Sequence, residues 1–393
     1  MNIKSLLLGS AAALVAVSGA RAADAVMAPE PEPVEYVRVC DAYGAGFFYI
    51  PGTETCLQIS GYVWYQIGAT NDDGVFAPDT ANYNFFAPDG WNKSVRARVN
   101  FDARSETEWG TLRAYIRFQA DWNGVGDGPV TADQAYIELG GLRMGYTESA
   151  WAETVNGTSS YGSHTWNGLY YGYQQRALIQ YNFGGESGLF GTISLEDDAL
   201  AGDGYMPDVV GVIGYQASWG AVWARAGFDE DRTNGFTAIF APGQVGDSGF
   251  AASIGTQINI PNMAGSSFRL IGYYADSDNT FGTGSAFGNG VNNIFPGGAW
   301  GNAEWSVLAS YYHQFTPTLG ASVGFQYFND FYFAGTDIST GVNGWAADLG
   351  IVWVPVTNFE VRAEVNYDDL GSFFPGFDPD GTISGYLRFT RYF

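Results

Sequence analysis

The chain has 393 residues, a formal net charge of −24, 17% aromatic residues, 54 glycines and only 15% charged residues. So acidic a chain repels nucleic acid, whose phosphates carry the same sign. Abundant glycine and aromatics, with no amphipathic helix of convincing length, favour many strands and turns over a helical soluble domain.

Residues 1–22, MNIKSLLLGSAAALVAVSGARA, carry Lys4, an apolar stretch from Leu6 to Val17 and an Ala20-Arg21-Ala22 cleavage pattern. That is the layout of a secretory signal peptide, and the apolar stretch is too short to span a bilayer. Its excision takes Lys4 and Arg21, which leaves 15 basic against 41 acidic residues and a net charge of −26. Residues 23–59 form an N-terminal periplasmic segment. Its first part, DAVMAPEPEPVE at 24–35, is extended and rich in Pro and Glu. Its second part, 36–59, holds the two cysteines of the chain, Cys40 and Cys56. In an oxidising compartment a disulfide between them is the default reading, and no histidine nearby suggests a metal site. Closing a loop of roughly 15 residues is worth on the order of 3 kcal/mol in the chain-entropy model.

From residue 60 to 393 the pattern has a period of two. In 95–104, Val95, Ala97, Val99, Phe101 and Ala103 alternate with Arg96, Arg98, Asn100, Asp102 and Arg104. Residues 111–121 and 359–367 alternate in the same way. A strand sorts such residues onto two faces, whereas a helix scatters them. Sixteen strands are predicted, at 60–69, 94–104, 110–121, 131–139, 142–147, 173–183, 188–197, 208–218, 220–230, 249–260, 266–276, 303–315, 318–330, 343–355, 358–368 and 381–393. Short connections alternate with long ones. An ordinary sandwich has neither this rhythm nor aromatic-ended strands of bilayer-crossing length. The predicted fold is all-β: a sixteen-stranded antiparallel transmembrane barrel, with short turns at the periplasm and long loops outside.

The connection 148–172, ESAWAETVNGTSSYGSHTWNGLYYG, is among the longest. A barrel of this size has a lumen too wide for wall side chains to fill, and a long loop folded inward narrows it. Seven of the fourteen arginines after residue 22 fall in strands two to six or at their edges: Arg96, Arg98, Arg104, Arg113, Arg117, Arg143 and Arg176. Arginine near the membrane midplane of the lipid face costs ~2–4 kcal/mol, so these residues line water. Arg96, Arg98, Arg113, Arg117, Arg143 and Arg176 are the candidate basic wall of a constriction. Glu138, Glu148 and Glu153 are its candidate acidic side. A transverse field of this kind orders water and favours small polar solutes.

Acidic pairs such as Asp72-Asp73, Asp197-Asp198 and Asp368-Asp369 mark the other loops. Carboxylates at an outer mouth suit divalent ions that bridge lipopolysaccharide phosphates, although no spacing here matches a dedicated calcium loop and solvated loops are the plainer reading. Catalysis finds little support. His164 and His313 are the only histidines, neither has a recognisable Ser or Asp partner, and no G-x-S-x-G elbow is present. No catalytic residue, metal or cofactor is assigned. The chain closes on Phe393, with Phe389, Leu387 and Gly385 in step with it. A terminal aromatic on an alternating strand resembles the signal read by the outer-membrane assembly machinery, with Arg391 standing where an aromatic is more usual.

Three stretches carry a closer resemblance: PEPVEYVRVCDAYGAGFFYIPGTETCLQISGYV, which closes at Val63; QAYIELGGLRMGY at 134–146; and GYLRFTRYF at 385–393. With them the chain resembles the alphaproteobacterial general porin family over nearly its whole length. The resemblance implies a homotrimer in the outer membrane, an inward-folded third loop at 148–172, and passive diffusion of small hydrophilic solutes. It also implies that Cys40 and Cys56 match the family's cysteine pair. The alternatives are a solute-selective channel, for which the loop aromatics Tyr161, Trp166, Tyr170, Tyr171 and Tyr173 suit sugars, an outer-membrane lipase, or a closed barrel serving as an adhesin.

Overall fold

The computed structural model describes residues 38–70, 90–122, 128–153, 161–185, 187–197, 206–230, 248–284, 300–371 and 381–393. The expected signal peptide, the leader at 24–35, Asp72-Asp73 and Asp198 lie outside the described residues, as does the middle of the 148–172 connection.

The N-terminal segment begins with a 3₁₀ turn at Asp41–Tyr43 and a two-residue strand β1 (Phe48–Tyr49). Sixteen longer strands follow among the described residues. They are β2 (Cys56–Thr70), β3 (Gly90–Thr107), β4 (Gly110–Trp122), β5 (Thr131–Leu139), β6 (Leu142–Glu148), β7 (Gln175–Gly184), β8 (Gly188–Asp197) and β9 (Asp208–Ala217). Then come β10 (Gly220–Asp229), β11 (Gly249–Asn259), β12 (Ser267–Ala275), β13 (Trp300–Thr316), β14 (Leu319–Phe333), β15 (Gly344–Val356), β16 (Phe359–Leu370) and β17 (Thr382–Tyr392). Each pairs antiparallel with the next, and β17 pairs back onto β2, for example Leu387 with Ile67, so the sheet closes into a barrel. Every predicted strand is present, displaced by only a few residues at its ends, and closure removes the edge strands that invite aggregation.

The faces are sorted inside out relative to a water-soluble protein. On β4, Leu112, Ile116 and Phe118 are exposed while the intervening Arg117 is buried. On β11, Ile254 is 69% exposed between the buried Ser253 and Gly255. Polar residues such as Gln66, Ser194, Ser306, Gln326 and Glu364 are buried on the opposite face. This arrangement is stable only where lipid covers the apolar band and the polar face encloses water and its own partners.

The tight connections lie at one end: Glu108-Trp109, Gly140-Gly141, Ser218-Trp219, Pro317-Thr318 and Thr357-Asn358. Gly140 adopts φ +57°, and a Cβ there would meet the Trp109 carbonyl oxygen at 2.7 Å, so the β5–β6 hairpin needs glycine at this point. At the same end the chain terminus is stitched in: Phe393 N–H donates to the Gly61 carbonyl at 3.1 Å, and Gly61 N–H donates to the Phe393 carbonyl at 3.0 Å. Beyond this point β2 has lost β17 as a neighbour, and β1 covers the edge by pairing Phe48 with Leu57 and Tyr49 with Cys56. Cys40 and Cys56 form a disulfide buried with Phe47.

Candidate functional site

The cross-strand register of β3 to β6 builds a charged ladder on the polar face. β3 sets Arg96 opposite Asp121, Arg98 opposite Gln119 and Arg104 opposite Arg113 on β4. β4 then sets Arg113 opposite Glu138 and Arg117 opposite Gln134 on β5, and Glu138 stands opposite Arg143 on β6. Directly opposed residues, diagonal neighbours and residues two apart on one strand all sit close enough to pair, so register limits which charges can meet.

The contacts follow. Arg96 Nε donates to Asp121 at 2.6 Å. Asp102 accepts from both Arg104, at 3.0 and 2.7 Å, and Arg113, at 2.9 and 2.8 Å. Arg98 Nε donates to Gln119 Oε1 at 3.0 Å and its Nη2 lies 3.6 Å from Asp133. Arg117 donates to the same Asp133 and lies 3.9 Å from Glu148. Arg143 is held between Glu138 at 2.9 Å and Glu153 at 2.7 Å. Aromatic rings fill the rungs. Tyr115 and Tyr136 stack at 5.1 Å, and the Arg113 and Arg143 guanidiniums lie 5.3 and 4.9 Å from the Tyr136 ring. Forked, charge-assisted pairs of this kind hold arginine side chains in fixed orientations.

Five of the six candidate arginines thus stand together: Arg96, Arg98, Arg113, Arg117 and Arg143. Arg176 lies apart at the start of β7, where it donates to Gln174 at 2.9 Å and to Thr280. Glu138, Glu148 and Glu153 lie against the arginines rather than across from them. The aspartates Asp102, Asp121 and Asp133 share the ladder. Asp102 and Asp121 already stood in the polar set of the alternating runs, but only register shows which arginine each one meets.

The connection between β6 and β7 takes up the far side. Its neck closes where Ser149 N–H donates to the Gln174 carbonyl at 3.0 Å. Ala150 N–H donates to the buried Glu196 of β8 at 2.9 Å. Beyond residue 160 it runs over the polar faces of β12 to β16. Arg269 donates to the carbonyls of Gly162 and Ser163, at 2.7 and 2.6 Å. Ser163 and Thr165 both donate to Asp348, the latter at 2.6 Å. Trp166 N–H donates to Glu364 at 2.6 Å, and Tyr170 exchanges two bonds with Gln326, at 3.0 and 2.8 Å. His164 sits between Ser310, at 2.7 Å, and Ser267, at 2.9 Å. Burial, with help from the Arg269 charge, pushes this imidazole down to about 3, so it is neutral near pH 7 and acts as a structural bridge. His313 lies in an outward column with Tyr311 and Phe315, its ring 4.5 Å from Phe315, as an interfacial girdle residue does.

The paired ladder on β3–β6 and the loop-covered wall on β12–β16 lie on opposite arcs of the barrel. Trp166 is 42% exposed, and the guanidiniums of Arg388 and Arg362 lie 4.9 and 5.7 Å from its ring. Among the described residues no group of three or more His, Cys, Asp or Glu is placed to hold a metal ion.

Comparison with known proteins agrees with this geometry. The Porin subfamily profile matches residues 24–382. Porin Omp2b of Brucella suis biovar 1 is 44% identical over 261 residues, a match that covers 58% of this chain and 66% of that relative's length. Among solved structures, the outer membrane channel DcaP of Acinetobacter baumannii superposes with a TM-score of 0.62 at 13% identity, over 88% of this chain and 99% of that one. The outer membrane protein OmpT of Vibrio cholerae, solved in a trimer form, gives a TM-score of 0.55 at 10% identity, over 87% and 100%. At such identities these two structures speak for the fold alone.

Proposed function

Because this chain belongs to the porin subfamily and is a multi-pass β-barrel of the outer membrane, we propose that it forms a water-filled channel for passive diffusion of small hydrophilic solutes and ions. The observation that carries the reading is the pairing of an apolar, outward band with an enclosed charged face, on which the β3–β6 ladder stands across from the part of the connection beyond residue 160. On this reading that connection is folded inward and narrows the lumen. Arg96, Arg98, Arg113, Arg117 and Arg143 with Glu138, Glu148 and Glu153 then set the field a solute crosses, and Arg176 lies at its margin. Alternating charges along one wall act on a passing solute's dipole while leaving little net barrier to either ion sign.

The wider protein follows the same reading. It is a channel rather than an enzyme, since the bridging His164 is spent on holding a loop. Residues 1–22 direct export. Phe393, one residue past β17 and exposed in step with its outward face, presents the terminal aromatic to the assembly machinery. The protein assembles as a homotrimer in contact with lipopolysaccharide, in keeping with the trimer form of OmpT.

Planar-bilayer recording of purified protein tests this directly. The expected record shows stable ohmic steps that close in threes under voltage. Absence of any conductance overturns the reading. A solute-selective channel is the second reading, favoured by the exposed Trp166 ring beside Arg388, and saturable block by one sugar is its signature.

A further inference from the structure

We propose that Arg225 is a positioning residue that pins the neck of the 149–174 connection to the barrel wall through a cage of aromatic rings, and so sets the width of the passage. The inference rests on reading that connection as the constriction of a pore.

Arg225 lies on the inward face of β10 and is 3% exposed. Its guanidinium carbon is 4.1 Å from the Trp151 ring centroid, 4.2 Å from that of Tyr161 and 5.5 Å from that of Tyr273. Its polar contact is one long bond, from Nη2 to the Tyr171 carbonyl at 3.4 Å. Nε and Nη1 find no acceptor among the described residues. The ladder residues Arg96, Arg113 and Arg143, by contrast, all meet carboxylates. A buried cation without a counter-charge is costly. Here the negative faces of three rings take the place of an acid.

The choice of rings gives the arrangement its consequence. Trp151 and Tyr161 belong to the outgoing arm of the connection, Tyr171 to the returning arm, and Tyr273 to the wall on β12. Tyr273 in turn donates its hydroxyl to the Tyr161 carbonyl. Gly172 lies against Trp151, with φ +78° and space for no larger residue: a Cβ would meet Trp151 Nε1 at 2.7 Å. Trp151 is backed by Phe281 at 5.6 Å. One guanidinium therefore joins both arms and two wall strands at the point where the connection leaves the wall. The anchors at Asp348, Gln326 and Glu364 hold only its far end. A carboxylate at the neck could bind Arg225 as firmly, but it would hold one arm alone.

The test uses Arg225→Met, Arg225→Lys and Arg225→Ala in planar bilayers, with heat-modifiable mobility on gels confirming a folded barrel. Arg225→Met is expected to raise single-channel conductance by about 1.5- to 2-fold and to add rapid flicker, because the narrowest segment controls flux. Arg225→Lys is expected to fall between, since an ammonium keeps the cation–ring attraction but not the planar fork. Sub-denaturing guanidinium, compared with sodium at equal ionic strength, should quieten Arg225→Ala by refilling the cage while leaving Arg225→Met unchanged. A wild-type protein without conductance defeats the pore reading itself. A conducting wild type with Arg225→Met and Arg225→Ala identical to it overturns this proposal alone. Should the Arg225 variants fail to fold, Trp151→Leu, which leaves the wall intact, must give the same wider and noisier pore, and a Trp151→Leu pore like wild type overturns the proposal.

Discussion

Replacing Arg113 and Arg117 together by Gln is expected to turn the pore toward cations. Arg113 faces Asp102 and lies 4.0 Å from Glu138, while Arg117 faces Asp133 and lies 3.9 Å from Glu148. Glutamine keeps much of the length and polarity but removes two positive charges from one short stretch of wall, leaving Asp102 with Arg104 as its remaining fork. An ion passing about 6 Å from one such charge feels about 0.7 kcal/mol in water. A Debye length of about 8 Å reduces that to roughly 0.3 kcal/mol per charge, or about 0.6 kcal/mol for the pair. Cations gain by about threefold and anions lose by about threefold at this energy, a change in permeability ratio of about tenfold. Under a roughly tenfold KCl gradient the reversal potential should move by about 40 mV in the cation-selective direction. Asp102→Asn with Asp133→Asn should move it the other way. An unmoved reversal potential in the arginine pair refutes the claim that the β3–β6 ladder lines the conducting path.

Three further outcomes check other parts of the structure. Ile254→Arg, on the outward face of β11, should destabilise folding into lipid vesicles by ~2–4 kcal/mol in urea titrations. Cys40→Ser should loosen the N-terminal hook by on the order of 3 kcal/mol, read as faster proteolysis between residues 40 and 56, while the barrel's heat-modifiable mobility persists. His164 is held neutral, so once pH falls below about 6.5 the released loop binds a proton that the docked loop refuses, and docking weakens progressively as pH drops toward about 3. Flicker should therefore increase between pH 7 and pH 4, and His164→Gln, which keeps a bridge between Ser310 and Ser267, should reduce that pH dependence in single-channel records, whereas an unchanged dependence refutes the role given to His164.

The barrel was legible because its code is local. In 95–104 each residue declares its face by parity, and the hairpin turns declare themselves by length. Strand ends moved where neighbours supplied pairing that the alternation did not announce: β2 begins at Cys56 rather than Ser60 because β3 pairs with it from Cys56 onward and β1 pairs with Cys56 and Leu57 on the other edge. The ladder was half legible. Parity put Arg96, Arg98, Arg113 and Arg117 on the polar face, and composition pointed to acids as their partners. Which acids they meet depends on register, and a slip of one residue reverses every face while a slip of two exchanges every partner. Parity therefore marks Glu138 as an acid on the polar face, while its place directly between Arg113 and Arg143 comes from register.

The loop-facing residues had no local code at all. Ser163 meets Asp348 across 185 residues of sequence, and Trp166 meets Glu364 across 198. In the sequence Asp348 and Glu364 are merely polar positions in alternating strands, and Arg225 is a lone basic residue in AVWARAGF. Their roles arise only when closure brings β10 to β16 around to face the connection after β6. The same closure explains the division of labour. The arc that carries the paired ladder, β3 to β6, lies ahead of the connection in the chain, whereas the arc that anchors it, β10 to β16, comes after it. On the proposed reading the connection crosses the barrel interior to reach its anchors. The bonds to Asp348, Gln326 and Glu364 replace lumen water on these side chains, while Glu364 also keeps Arg362 and Gln326 also keeps Ser306 on the wall. On the proposed reading, these exchanges with polar side chains of β14, β15 and β16 are what favour an inward course of the loop, because each bond is available only on the lumen side of the wall.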